Sequence, residues 1–377
     1  MKLGVPNQSK QGETRVALVP EVVRRLEKLG VDVVLEPGAG DESHHPDAEY
    51  EEAGATIGDP WGAEVVAVVA APTAEDIGRL SADSVLIGFL GPLTSPDTTR
   101  ALAQKGVTSF AMEAIPRISR AQSMDALSSQ ASLAGYRAVL IAAEELPRFF
   151  PMLTTAAGTI KPASVLVLGA GVAGLQAIAT AKRLGAVVTA FDVRSVVKEQ
   201  IESLGARFLD LGLDDDAEGT GGYAKELGEE QQRRQREALA EAAGRFDVAI
   251  TTAQIPGRRA PLLLTAQAVE NMKPGAVIVD LAGESGGNVE LTEAGKTVER
   301  HGVKIVAPTN LPGEMPDHAS QLYARNVQSL LDLMVKEGNL ELDFEDEVIA
   351  GACITRGGEI VHDAARKTVE TAAGKTS

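Results

Sequence analysis

Short apolar runs alternate with amphipathic, helix-length stretches along most of the chain. That alternation predicts an α/β fold built on parallel, doubly wound sheets. Residues 2–5, 31–35, 64–70, 85–89 and 108–111 read as strands. Residues 20–29, 73–80 and 96–106 read as helices, the first with Pro20 in its opening turn, where a missing N–H costs nothing. A run of good helix formers covers 128–146, and further strands fall at 165–168, 186–191, 248–252, 276–280 and 304–306. A second long helix opens near Asp317, a candidate N-cap, and carries Leu322, Val327, Leu330, Leu331 and Met334. Beyond Leu340, Val348, Ile349, Ile354 and Ile360 read as strand material returning to the first sheet. At 377 residues the chain exceeds one ordinary core. The pattern divides it into two Rossmann-like domains, 1–127 with 330–377 and 128–329, joined by two long helices with a cleft between them.

One junction carries chemistry. The apolar run 165–168 leads directly into Gly169-Ala170-Gly171-Val172-Ala173-Gly174, a helical stretch 175–184, a second apolar run 186–191, and Asp192. A bare glycine triad also arises in structural turns; the order strand, glycine turn, helix, strand, acid is what a dinucleotide requires. Gly169 permits the tight turn, Gly171 lets a pyrophosphate approach the backbone, and Gly174 lets the helix pack close to its strand. The helix N-terminus offers N–H groups and a positive dipole end to the phosphates. Asp192 can accept from both adenosine ribose hydroxyls and repels a 2′-phosphate, so the expected cofactor is NAD(H) rather than NADP(H). Gly38-Ala39-Gly40 lacks the third glycine and the following helix, and reads as a turn.

Composition narrows the partners. A formal net charge of −17 argues against nucleic acid and anionic membrane surfaces. The densest acid, Asp214, Asp215, Asp216 and Glu218, reads as a solvated face. One cysteine, Cys353, excludes an internal disulfide and a thiolate zinc cluster, and no metal site is expected. Apolar stretches such as 65–71 fall short of a membrane span, and the opening Met1-Lys2-Leu3-Gly4-Val5-Pro6 lacks a signal-peptide core. A cytoplasmic protein is the expectation. Glycines around Tyr223, in 219–226, read as a mobile loop ahead of a very polar helix at 229–243.

Hydride transfer to a carbonyl needs a proton donor, usually histidine or lysine. The five histidines offer none in place. His44 and His45 lie in a polar turn, His301 in a helix-to-strand turn, His318 at the Pro-rich entry to the second long helix, and His362 near the frayed carboxyl end. A hydride passed between two nicotinamides moves no O–H proton and needs alignment instead. The polar run 117–129, between a strand and the first long helix, has the residues for alignment. Arg117 can pair with a phosphate or with Asp125, while Gln122 and Ser128 can bind a carboxamide or ribose. Asp125 or Ser128 can equally be helix caps.

Segments 117–138, 169–194, 221–226 and 272–288 closely resemble the NAD(H)-binding component of proton-translocating nicotinamide nucleotide transhydrogenase. The resemblance runs over nearly the whole chain, including Glu13-Thr14-Arg15-Val16-Ala17-Leu18-Val19-Pro20. It implies that Arg117, Gln122, Asp125 and Ser128 form the polar loop around the nicotinamide, with Ile118, Ser119, Leu127 and Ser129 beside them. By the same resemblance Gly169, Gly171, Val172 and Gly174 meet the pyrophosphate, and Asp192, Val193 and Arg194 the adenosine ribose. Gly222 and Tyr223 belong to a mobile loop that closes over nucleotide, and Gln235 and Gln254 line the same site. The family passes hydride directly from NADH to NADP⁺ held by a partner subunit, and a membrane-spanning subunit couples the step to proton movement. A homodimer follows, peripheral at the inner face of a membrane through those partners.

Two rival readings compete. Alanine dehydrogenase is similar in fold and shares Arg15, its carboxylate-binding residue. Its substrate lysine is replaced here by Ala70-Ala71-Pro72, its catalytic histidine by Gly91 after Phe89-Leu90, and its aspartate by Glu284. The other rival is a non-catalytic NAD-binding scaffold, which adenosine and pyrophosphate contacts alone would serve.

Overall fold

The structure, a computed structural model, describes residues 1–212 and 228–374. The chain forms two compact units, Met1–Gln130 with Gly313–Ser377, and Ala131–Pro312. Unit 1 opens with β1 (Lys2–Val5), α1 (Pro20–Lys28), β2 (Asp32–Leu35), α2 (Asp47–Glu52) and β3 (Thr56–Ile57). It continues with β4 (Val65–Ala67), α3 (Ala74–Arg79), β5 (Val85–Gly88), α4 (Pro96–Lys105) and β6 (Thr108–Ala111). Helix α5 (Ala126–Glu145) carries the chain into unit 2, which starts with the hairpin β7 (Leu153–Thr155) and β8 (Gly158–Ile160). There follow β9 (Ser164–Leu168), α6 (Val172–Arg183), β10 (Val187–Phe191), α7 (Lys198–Ser203) and β11 (Arg207–Phe208). Next come α8 (Glu229–Ala243), β12 (Val248–Thr251), α9 (Ala266–Glu270), β13 (Val277–Asp280), β14 (Thr297–Arg300) and β15 (Val303–Val306). The return to unit 1 supplies α10 (Pro316–Met334), β16 (Val335–Lys336), β17 (Asn339–Leu340), α11 (Glu347–Ala352), β18 (Cys353–Arg356), β19 (Glu359–Ile360) and α12 (Asp363–Ala373).

Among the described residues each unit is built on one large, mostly parallel sheet. Unit 1 has the order β19-β18-β6-β5-β4-β1-β2-β3, with only β18 and β19 antiparallel to their neighbours. Unit 2 has the order β11-β10-β9-β12-β13-β15-β14, with β14 antiparallel. Strands β4, β5, β12 and β13 are buried along their whole length, as unbroken Val/Ile/Leu-rich runs require when helices cover both faces. Both sheets reverse strand order at the middle, between β1 and β4 and between β9 and β12. These reversals are where ligands of open α/β sheets sit.

The doubly wound fold expected from the hydrophobic pattern is present in both units. Three local expectations fail for physical reasons. Val348 and Ile349 are helical in α11, not strand, because the Asp346 carboxylate accepts both their N–H groups at 2.8 and 3.4 Å and nucleates a turn. Asp317 does not cap α10. Proline at 316 takes the first helical position, leaving Met315 as the cap and Asp317 inside the first turn. Helix α10 buries Tyr323, Ala324, Val327, Leu330, Leu331 and Met334 in the same core as Leu3, Val5, Val33 and Leu35. Residues 313–329 therefore pack as part of unit 1, where the sequence pattern drew the boundary after 329.

Candidate nucleotide site

The strand ends of unit 2 are level. Leu168 pairs in register with Phe191 on one side and with Thr251 on the other, so Gly169, Asp192 and Thr252 emerge at one edge of the sheet. Gly169 adopts φ +98°, a left-handed conformation that a side chain resists. A Cβ there would also lie 2.6 Å from the Thr252 hydroxyl, which donates to the Gly169 carbonyl at 3.1 Å. A Cβ on Gly174 would lie 1.9 Å from the Gly169 carbonyl oxygen, so only glycine lets α6 approach β9 this closely. Gly135 of α5 plays the same part on α6, since a Cβ there would lie 2.1 Å from the Ala173 carbonyl. Gly171 differs from all three. It is the N-cap of α6, and a Cβ on it would meet nothing within 4 Å. Beside it, Val172 is half-exposed on the first turn. The turn thus packs tightly on its protein side and is open at Gly171, where α6 presents its N-terminus.

Asp192 is 7% exposed and closes β10. Its Oδ2 accepts the Ala170 N–H at 2.7 Å, so the acid braces the glycine turn. The same carboxylate accepts from Arg194: backbone N–H at 2.9 Å, Nε at 2.8 Å and Nη2 at 2.8 Å. Val193, between them, packs its side chain on the core. Gln254, two residues beyond Thr252, is exposed and donates to the Leu281 carbonyl at 3.0 Å. Gln235 lies on the buried face of α8 with Leu239, Ala242 and Ala243. Gly222 and Tyr223, with the acidic run 214–218, lie outside the described residues.

Sequence reasoning missed the support beneath this edge. Asp280, fully buried at the end of β13, accepts from the Thr251 and Thr292 hydroxyls at 2.9 and 2.6 Å and from the N–H groups of Ala282, Asn288 and Val289. Asn288, equally buried, then clamps the segment after β12. Its amide donates to the carbonyls of Ala253 and Pro261 at 2.8 Å each, and its oxygen accepts the Ala253 N–H at 3.1 Å. The signal was present, because an apolar run ending in aspartate occurs twice, at Asp192 and at Asp280.

In unit 1 the polar run 117–129 is a short 3-10 turn, Ser119–Met124, leading into α5. Buried Ala121 and Met124 anchor it, and Ile118 packs on the core. Arg117, Ser119 and Gln122 are exposed, while Asp125, Leu127, Ser128 and Ser129 are half-buried. Asp125 accepts the Ser128 N–H at 2.9 Å and its hydroxyl at 2.6 Å, which caps α5. The turn is pinned on both sides. Arg120 forms a fork to Asp346 at 2.9 Å, and Asn326 of α10 holds the Ser123 carbonyl and the Ser129 hydroxyl.

Arg15 is held by Glu13 through Nε and Nη2, both at 2.8 Å, and by Gln130 at 2.8 Å. Among the described residues, Glu113 leaves a buried carboxylate oxygen unmet. Its Oε1 accepts the N–H groups of Leu90 and Gly91, its Oε2 is buried with no partner, and burial pushes its pKa up to about 6. His44, His301 and His318 are exposed, and His45 is half-buried beside Glu49. His362 is not at a frayed end: its Nδ1 accepts the Ala365 N–H and caps α12. Among the described residues no helix is long and apolar enough to cross a membrane.

Comparison with known proteins shows the family. Residues 4–134 match the N-terminal domain of the alanine dehydrogenase/PNT family, and residues 138–363 match its C-terminal domain. An NAD(P) transhydrogenase alpha subunit chain of Rhodospirillum rubrum is 50% identical over 97% of this chain and 98% of its own. Alanine dehydrogenase of Bacillus subtilis is 30% identical over 97% of this chain and 93% of its own. Among solved structures, a transhydrogenase from Sinorhizobium meliloti superposes with a TM-score of 0.85 at 45% identity, covering 97% of this chain and all of that one. With both family domains matched and half its residues shared along nearly all of a transhydrogenase alpha chain, the protein belongs to the alanine dehydrogenase/PNT family, within it to the NAD(P) transhydrogenase alpha subunits.

Proposed function

We propose that this chain is the NAD(H)-binding subunit of a proton-translocating NAD(P) transhydrogenase. Its hydride acceptor is NADP⁺ held by a partner subunit, and a membrane-spanning subunit couples the exchange to proton movement. The chain works as a homodimer, peripheral to the inner face of the membrane through those partners. The observation that carries this reading is the glycine turn at the strand reversal of unit 2, closed everywhere except at Gly171.

Gly169, Gly171, Val172 and Gly174 receive the pyrophosphate on the N-terminus of α6. Asp192, with Val193 and Arg194, meets the adenosine ribose, and Gln235 and Gln254 line the same site. NADH, when bound, supplies the hydride. Gln122 and Arg117 orient the nicotinamide ring, with Ile118, Ser119, Leu127 and Ser129 shaping the segment. The Asp125–Ser128 pair keeps that turn in register by capping α5. No side chain has to donate or accept a proton in the exchange, so alignment is the whole catalytic task.

The alanine dehydrogenase alternative loses support from unit 1. Arg15 is already neutralised by Glu13, and Ala70 and Gly91 offer neither carbonyl polariser nor proton shuttle.

The test mixes the purified chain with a transhydrogenase NADP(H)-binding component and follows hydride exchange from NADH to an NADP⁺ analogue. Exchange supports the reading; NADH oxidation with pyruvate and ammonia supports the alanine dehydrogenase reading, and neither activity supports a scaffold. Gln122→Asn should slow single-turnover exchange at least tenfold while NADH affinity changes little. An unchanged rate removes Gln122 from the ring site.

A further inference from the structure

Resting on that nucleotide-site reading, we propose that Arg194 is a latent ligand for the 2′-phosphate of NADP(H), masked by Asp192. The pair, rather than the acid alone, then sets cofactor choice. At the end of the second strand of a dinucleotide fold, an acid serves a ribose 2′-hydroxyl, whereas an arginine serves a 2′-phosphate. This chain has both, bound to each other. The guanidinium meets the carboxylate as a fork, Nε to Oδ1 and Nη2 to Oδ2 at 2.8 Å each, with side chains only 11% and 5% exposed. Oδ1 also takes the Arg194 N–H, and Oδ2 the Ala170 N–H.

Two consequences follow from the geometry. A carboxylate offers about four acceptor positions, and here four donors use them. Ribose hydroxyls must therefore share Asp192 with Arg194 or shift the guanidinium aside. The fork geometry that fits a carboxylate also fits a phosphate, because both present paired oxygens to parallel N–H donors. With Asp192 present, an incoming 2′-phosphate meets a guanidinium whose charge and fork are already engaged. Removing the acid's charge while keeping Arg194 releases Nε and Nη2 from the carboxylate, beside the proposed site of the adenosine ribose.

Binding of NADH and NADPH to the purified chain tests this, using wild type, Asp192→Asn and Asp192→Asn/Arg194→Gln. Asp192→Ala is the second acid variant, and thermal melts check that each protein is folded. We expect Asp192→Asn to bind NADPH at least tenfold more tightly than wild type does, and the double variant to lose that gain. A gain that survives in the double variant overturns the role of Arg194, since relief of repulsion alone then explains it. So does a folded Asp192→Asn and Asp192→Ala pair with no gain, provided wild type binds NADH. A wild-type chain that fails to bind NADH overturns the site reading itself, and this inference falls with it.

Discussion

At the strand reversal of unit 2, β9 runs into Gly169 and Ala170; at that of unit 1, β1 runs into Pro6 and Asn7. The two edges share more than topology. In each, the residue just after the neighbouring strand is an acid that accepts the N–H two residues beyond the central strand. Asp192 takes Ala170 at 2.7 Å, and Glu36 takes Asn7 at 2.8 Å. There the likeness ends. Unit 2 proceeds at once into the 12-residue helix α6, whereas unit 1 makes a 3-10 turn, Ser9–Gln11, and delays α1 until Pro20. The gap is also filled. Gln8, only 5% exposed, accepts the N–H groups of Val69 and Ala70 at 2.8 and 3.1 Å and donates to the Ala70 carbonyl at 2.8 Å. Sheet order creates a ligand gap, and the residues after the central strand decide whether a ligand or the protein itself occupies it.

The comparison can be broken most sharply at Gly174. Gly174→Ala drives a Cβ into the Gly169 carbonyl and should cost about 3 kcal/mol or more, or abolish folding of unit 2, read by urea unfolding. A stable, NADH-binding Gly174→Ala protein would show that close helix–strand contact is dispensable. Gln8→Ala removes the plug from unit 1 and leaves two N–H groups unmet, a loss of about 2 kcal/mol. NADH affinity should not change, because no glycine turn or helix N-terminus lies beneath the gap. A second equivalent of NADH bound by Gln8→Ala would mean that the plug alone silences unit 1.

The buried acids of the two units offer a finer contrast. Asp280 satisfies five donors, while Glu113 leaves one oxygen without a partner. With its pKa raised by burial to about 6, Glu113 favours the native state below the ordinary carboxyl range, and that contribution is lost as pH rises through about 6. Glu113→Gln does not titrate. Its stability relative to wild type should therefore improve by roughly 2 kcal/mol between pH 4 and pH 8, measured as paired urea midpoints. A difference independent of pH would show that Glu113 does not titrate in this window. Smallest in stability is Gly171→Ala, expected within about 0.5 kcal/mol of wild type. Its signature is weakened NADH binding, at least tenfold, and unaltered affinity would move the pyrophosphate away from this turn.

Both sheets and the glycine turn were legible in the sequence because each depends on local pattern: unbroken apolar strands, turn glycines, an acid at a strand end. Gln8 and Asn288 were not. Each matters through backbone groups that only the assembled fold leaves unmet, such as the N–H of Val69 or the carbonyl of Pro261. Val348 and Ile349 misled because two apolar residues fit either a strand or a short helix, and the Asp346 cap decides between them. His362 misled in the same way, since its cap on α12 depends on where that helix begins. Asp192 was legible as an acid at a strand end, but its partnership with Arg194 was not, although the two stand only two positions apart.

The insertion of unit 2's residues between the two segments of unit 1 along the chain bears on how the protein is made. On the ribosome, unit 2 has all its residues once Pro312 has emerged. Unit 1 still lacks α10, which completes the core that holds Leu3 and Val33, and β18, which closes the edge of β6. The amino-terminal strands, though synthesised first, are completed last. Until then an apolar sheet face and an unpaired edge stand open to mispairing. The vulnerable stage of biogenesis thus belongs to the half of the molecule whose ligand gap is filled, and the nucleotide half is spared it.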